Sequence, residues 1–205
     1  MLFIGSVTTR RPNDHGFSAV ELLIALAIVG SLAAMSVPLS GGMIDDIRLR
    51  GDAQGLSSAV ALTKMTAATK FSRSRLHVNE AAGTWQIETW QSTGTPGWIV
   101  DGGAHRLSQR DQFGAGPVTT APPNSQTVVS QPAACLAADD TAIAGSACVI
   151  FNSRGLPVSS SGAPMTTQVL YMRGPTGVFA IVLGATGQLQ VWRTTSTAGG
   201  AWRQQ

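Results

Sequence analysis

The stretch from Phe17 to Leu39 constrains this chain more than any other. Its 23 residues carry one charge, Glu21, and the remainder are apolar, small or hydroxylated apart from Pro38. At about 1.5 Å rise per residue, a helix of that length crosses a hydrocarbon core of about 30 Å. Arg10 and Arg11 precede the run, and nothing basic follows it until Arg48. That asymmetry places the amino end in the cytoplasm and everything after Leu39 outside it. Three other readings compete: a buried helix of a soluble protein, a secretory signal peptide cut near Leu32-Ala33-Ala34-Met35, and a twin-arginine signal at Arg10-Arg11. Pro12-Asn13 fits the last poorly.

Glu21 argues against all three. A carboxylate at bilayer depth costs about 2.5–3.5 kcal/mol or more, so it needs a partner. Cleavage between Gly16 and Phe17 creates one, because the new α-amino group is a cation that a neighbouring subunit can bring to Glu21. The first and fifth residues of one helix also lie near each other, and the sequence does not choose between the two arrangements.

The block Gly16-Phe17-Ser18-Ala19-Val20-Glu21-Leu22 resembles the processing site of type IV pilins and type II secretion pseudopilins. The resemblance implies a leader, residues 1–16, removed by a prepilin peptidase that also N-methylates Phe17. It further implies that Glu21 pairs with a neighbour's amino terminus in a filament, and that Gly30 and Pro38 occupy helix positions common in the family. Pro38 removes an internal helix hydrogen bond and permits a kink. The leader departs from the pattern at Asp14 and His15, which stand where basic or small residues are usual.

Beyond the apolar run, Gly41-Gly42 marks a weak point. A more polar helix is expected over 40–75, ending near Ser74. Leu49, Ala53, Leu56, Val60, Thr63 or Lys64, Ala67 and Phe71 recur at three- and four-residue steps and form one apolar stripe. Lys64, Lys70, Arg73 and Arg75 near its end read as a solvated, dipole-complementing terminus. From 76 to 205 the pattern becomes short strands: His77-Val78, Thr84–Trp90, Trp98–Val100, Cys148–Asn152, Gln168–Met172, Val178–Leu183 and Gln188–Arg193. In the second of these, Trp85 and Ile87 alternate with Gln86 and Glu88. Residues 114–134, with Pro117, Pro122, Pro123 and Pro132 among Ser, Thr, Gly and Ala, read as a long mobile loop. The fold class is therefore α+β, a long amino-terminal helix packed on an antiparallel sheet domain. The helix running into the Trp85 strand, the block Phe151–Pro157 and the hairpin ending Gly187–Val191 resemble the GspH/FimT-type minor pseudopilins, which implies a pilin-like fold.

Two cysteines, Cys135 and Cys148, lie too far apart for a Cys-x2-Cys zinc array, and His15, His77 and His105 are scattered. If the domain lies outside the cytoplasm, a disulfide is the natural reading, contributing roughly 3 kcal/mol in the chain-entropy model. No nucleophile elbow, metalloprotease helix or phosphate-binding loop is present, and no carboxylate pair has acid/base spacing. The chain reads as no enzyme, with no cofactor and no metal.

Charged residues are 12% of the chain, and the formal net charge of +3 falls to +2 once residues 1–16 are removed. After Asp140 there is no acidic residue, while Arg154, Arg173, Arg193 and Arg203 follow. Trp192-Arg193 and Trp202-Arg203 put rings and cations side by side, a combination that neutralises phosphate and stacks on unpaired bases. The expected role is a minor pilin or pseudopilin of a type II secretion or type IV pilus filament, single-pass in the bacterial inner membrane with a periplasmic domain. Its expected partners are the prepilin peptidase, other pilins or pseudopilins, and DNA or secreted cargo. The alternatives are a DNA-binding minor pilin for natural transformation, with Arg154, Arg173, Trp192, Arg193, Trp202 and Arg203 as candidate contacts, and an ordinary exported soluble protein.

Overall fold

The computed structural model describes residues 18–195 and 197–205, apart from the side chains of 34–40. The chain divides into two compact units, residues 1–41 and 42–205, with the division at the Gly41-Gly42 pair. Helix α1, Ala19–Thr69, contributes to both.

In the second unit the three-and-four spacing of α1 does what the sequence predicts. Leu49, Ala53, Leu56, Val60, Thr63 and Ala67 are all buried. They meet two antiparallel sheets. The first contains β1 (Ser74–Asn79), β2 (Thr84–Gln91), β3 (Gly97–Val100), β6 (Ser146–Phe151) and β7 (Pro157–Val158), in the order β3-β2-β1-β6-β7. A short β4 (His105–Arg106) also pairs with β2. The second contains β5 (Gln112–Phe113), β8 (Gln168–Gly174), β9 (Gly177–Leu183), β10 (Leu189–Thr194) and β11 (Arg203–Gln204), in the order β11-β10-β9-β8-β5. The main core joins the α1 stripe to Leu76, Val78, Trp85, Val149 and Phe151 of the first sheet and to Leu170, Met172, Phe179 and Ile181 of the second. The fold class is α+β with antiparallel sheets, as expected.

Period-two alternation leaves each sheet a second face, and the irregular segments cover both. Behind the second sheet, Val118 and Val129 pack on Val169, Tyr171, Val178, Ala180 and Val182. The Gln131 side chain there donates to the Tyr171 carbonyl at 2.8 Å and accepts from the Tyr171 N–H at 2.9 Å, acting as a strand would. The segment 114–134 is therefore a packed cover rather than the free loop its prolines suggest. Behind the first sheet, Cys135, Cys148, Ile150 and Val158 form a third cluster with Trp98 and Ile143. Cys135 and Cys148 are joined by a disulfide, with Cα atoms 4.9 Å apart.

The helix stops earlier than its periodicity implies. Ser72 N–H donates to Ala67 C=O (3.2 Å) and Phe71 N–H to Ala68 C=O (3.4 Å), the paired bonds of a Schellman end. That places Phe71 at φ 50°, a left-handed position usually held by glycine, with its ring 87% exposed. Phe71 thus lies outside the core stripe, contrary to the spacing argument. Because its ring buries almost nothing, Phe71→Gly should raise stability by about 1 kcal/mol, read as a shift in the urea midpoint at constant slope.

Candidate functional site

The first region of interest is the start of α1. Ser18 caps the helix, its Oγ accepting the Glu21 N–H at 3.2 Å, and a carboxylate in the first turn complements the helix dipole. Beyond it, Val20, Leu22, Leu23, Ile24, Leu26, Ile28, Val29 and Leu32 are each 55–65% exposed. A water-soluble monomer seldom shows so much contiguous apolar surface. Gly30 is exposed, and a Cβ there would meet nothing within 4 Å. No helix of the described residues is long and apolar enough to cross a membrane. The segment 17–39 expected to do so includes Phe17 and the side chains of 34–39, Pro38 among them, which lie outside the described residues, as does Gly16.

The second region is the acid-free carboxyl part, which the structure separates into distinct places. Adjacent residues in a strand point to opposite faces. Arg193 therefore lies on the α1 side of the second sheet, bridged to Asp46, while Trp192 packs behind it with Trp202. Trp202 donates its indole N–H to Thr120 C=O at 2.7 Å and lies 6.2 Å from the Tyr171 ring. Arg203 stands opposite Arg193 in the β10–β11 register. Arg173 is engaged with Gln112 (2.7 Å), and Arg154 sits exposed in the turn after β6, where Asn152 Oδ1 accepts its N–H. Of the six residues, only Arg193 and Arg203 share a surface patch built from opposed side chains, and both tryptophans face away from it.

Two charged centres are not visible in the sequence pattern. Arg75, expected at a solvated helix end, is 3% exposed in β1. It donates to Glu88 Oε2 (2.5 Å) and Leu136 C=O (2.5 Å) and stacks 4.1 Å from the Trp98 ring centroid. Glu88 also accepts from His77 Nδ1 (2.9 Å) and Gln86 Nε2 (2.5 Å). Burial pushes the Glu88 carboxyl up, but these hydrogen bonds and the Arg75 charge outweigh it and hold Glu88 at about 2. Alternation suggests that Gln86 and Glu88 face water; instead the segment around Leu136 covers them.

The other centre joins Asp111 to α1. Asp111 is 8% exposed, and its Oδ2 has no hydrogen-bond partner. Burial, then the nearby Asp52 and Asp45 carboxylates, push it up to about 7, with Arg48 opposing. Asp52 accepts from Ser108 N–H (2.6 Å), and Arg110 pairs with Asp45 (2.6 Å). A Cβ at Gly174 would run into Asp111 Oδ1 and Leu49, so a larger residue there would have to push the carboxylate aside.

No family model and no curated protein matches the chain. Among solved structures, it is similar to the minor pseudopilin EpsH from the Type 2 Secretion System of Vibrio cholerae. Identity is 11%, the alignment covers 76% of this chain and 94% of that one, and the TM-score is 0.35. So distant a likeness assigns no role to any residue here.

Proposed function

We propose that the chain is a minor pilin-like or pseudopilin-like subunit, anchored in the inner membrane through residues 17–39 and recruited into a periplasmic filament. The observation that carries this reading is the start of α1: a capped helix, apolar and exposed around its circumference, with one carboxylate in its first turn. Lipid covers such a surface in the membrane, and the same surface of other subunits covers it in a bundle. Cleavage before Phe17 supplies the amine for Glu21, so processing and assembly become one electrostatic event. The disulfide supports an oxidising compartment for residues 42–205. The role is mechanical and associative, with the sheet unit meeting other subunits or cargo.

The nucleic-acid alternative needs rings and cations on one surface. The second sheet puts Trp192 and Trp202 on the face opposite Arg193, which removes the stacking half of that argument.

Glu21→Gln tests the proposal. It should leave membrane retention and the folding of the sheet unit intact while lowering recovery in sheared filaments roughly tenfold or more, by the size of the lost intramembrane pairing. Unchanged recovery of the variant in filaments would sink the pairing argument.

A further inference from the structure

The edge of a β-sheet is a row of backbone groups without partners, and most edges of this unit are guarded. In the second sheet, β5 is two residues long and β11 carries Arg203. In the first, β7 opens on Pro157, and Val158 is bridged to Pro164. β3 has none of these devices: Gly97-Trp98-Ile99-Val100 contains no charge and no proline. It is the last strand of its sheet, and β4 pairs only with Thr84 and Trp85 at the other end of β2. The register tells which of its groups are free. Asp101 N–H donates to Ile87 C=O at 2.7 Å, and bonded pairs alternate along an antiparallel ladder. Gly97 and Ile99 therefore bond to Gln91 and Thr89, while Trp98 and Val100 turn their N–H and C=O groups outward. Among the described residues, nothing pairs with those outward groups.

A second observation is a groove of about 470 Å³ beside β3, lined by Phe71, Thr89, Ile99 and Val100 among others. Phe71 is 87% exposed, Ile99 51% and Val100 47%. Phe71 holds its left-handed backbone at a cost in stability, and its ring gains almost no burial from its own chain. Such an outlier points to a use outside the fold. Lys70 and Asp101, the charged residues of the lining, pair with each other at 2.6 Å and leave the groove without net charge.

We propose that β3 accepts an added strand: an extended, uncharged segment of another protein that bonds to Trp98 and Val100 and seats an apolar side chain beside Phe71 and Ile99. Outward N–H and C=O groups at strand spacing are matched by extended backbone. The residue across from Ile99 in such a strand falls at a non-bonded position, where side chains on one face approach most closely. That side chain is the one that fills the Phe71 groove. A second folded copy fits less well, because a standard interface takes roughly 20–30 residues a side and this edge offers four. All the residues involved lie within the unit 42–205, so strand addition stands or falls apart from the filament reading.

The test uses the full chain in phospholipid nanodiscs, panned against a phage-displayed library of random seven-residue peptides. Enriched peptides are then synthesised and titrated by fluorescence anisotropy. The expected sequences carry β-branched or aromatic residues at alternate positions and few charges. Methylating their backbone nitrogens one at a time should abolish binding at every second position and leave it nearly unchanged in between. Val100→Pro removes only an N–H that β2 does not use, so it should melt like the parent and bind roughly tenfold more weakly. Phe71→Gly should also bind about tenfold more weakly while melting higher, and those opposite signs exclude a general loosening of the fold. The proposal is overturned if no enriched peptide depends on both Val100 and Phe71, or if methylation costs the same at every position. It is equally overturned if β3 pairs only with β3 of a second copy, seen as Val100-dependent cross-linking between copies that no peptide displaces.

Discussion

Arg75→Met destabilises the sheet unit by about 3–5 kcal/mol at neutral pH, the usual effect of stranding one half of a buried ion pair. The side chain is 3% exposed and Glu88 is 5% exposed, so water cannot take over the lost contacts. Three interactions disappear together: the bond to Glu88, the bond to Leu136 C=O and the stacking on Trp98. The pH dependence of the damage identifies its cause. In the parent, Glu88 is held at about 2, below its ordinary value of 4.5. Its contribution is therefore fully present above about pH 4.5 and is lost as pH falls toward 2. Without Arg75, burial is opposed only by the His77 and Gln86 hydrogen bonds, so Glu88 is harder to ionise than in the parent and the deficit of the variant should be larger at pH 7 than at pH 4. Arg75→Met combined with Glu88→Gln should recover much of the loss at pH 7, since no charge is then left buried. Urea denaturation of the three proteins at pH 4 and pH 7 checks both statements. Equal deficits at the two pH values would mean that lost packing, not the stranded carboxylate, is responsible.

Asp111→Asn stabilises the fold above neutral pH, by about 2 kcal/mol at pH 8 and by nearly nothing at pH 4. Asp111 is raised to about 7 from an ordinary 3.8. A raised carboxyl contributes stability that is complete below its unfolded value and disappears as pH climbs through the folded one. The parent should therefore weaken between about pH 4 and pH 7 as Asp111 is forced to ionise beside Asp52 and Asp45. The full shift would correspond to about 4 kcal/mol; we halve it because Arg110 and Ser108 bring the cluster to the solvent edge. Asparagine keeps the shape and cannot ionise, so its stability curve over this range should be flat where the parent's falls. Together with Glu88, this puts greatest stability near pH 4, where the two opposing slopes cancel. Thermal melts from pH 4 to 8 measure both curves, and parallel slopes for parent and variant would refute the assignment.

Much of the fold is legible in the sequence because it depends on short-range periods. The stripe from Leu49 to Ala67 follows from helical spacing, and the β8–β10 meander follows from alternating apolar runs broken at Gly174 and at Gly184–Gly187. Phe71 sits on the same period and misleads, because a helix end is set by backbone bonds of the last turn rather than by hydrophobicity. Glu88 misleads for another reason: alternation gives the face of a strand but not what covers that face. The cover comes from around Leu136, nearly fifty residues later, through a disulfide loop whose path no local pattern encodes. Asp111 beside Asp52 is the same kind of long-range fact. The separation of Trp192 from Arg193 is different. Neighbours in a strand always point to opposite faces, so their adjacency in sequence already argued against a shared surface.

The proposed subunit role requires cleavage before Phe17, which would turn the apolar amino-terminal helix into an assembly segment. The most direct test is the mass and sequence of the amino terminus of the protein recovered from membranes of cells that carry a prepilin peptidase. The expected chain begins at Phe17 and bears a methyl group on its α-nitrogen. A mature chain that begins beyond Leu32 would contradict it.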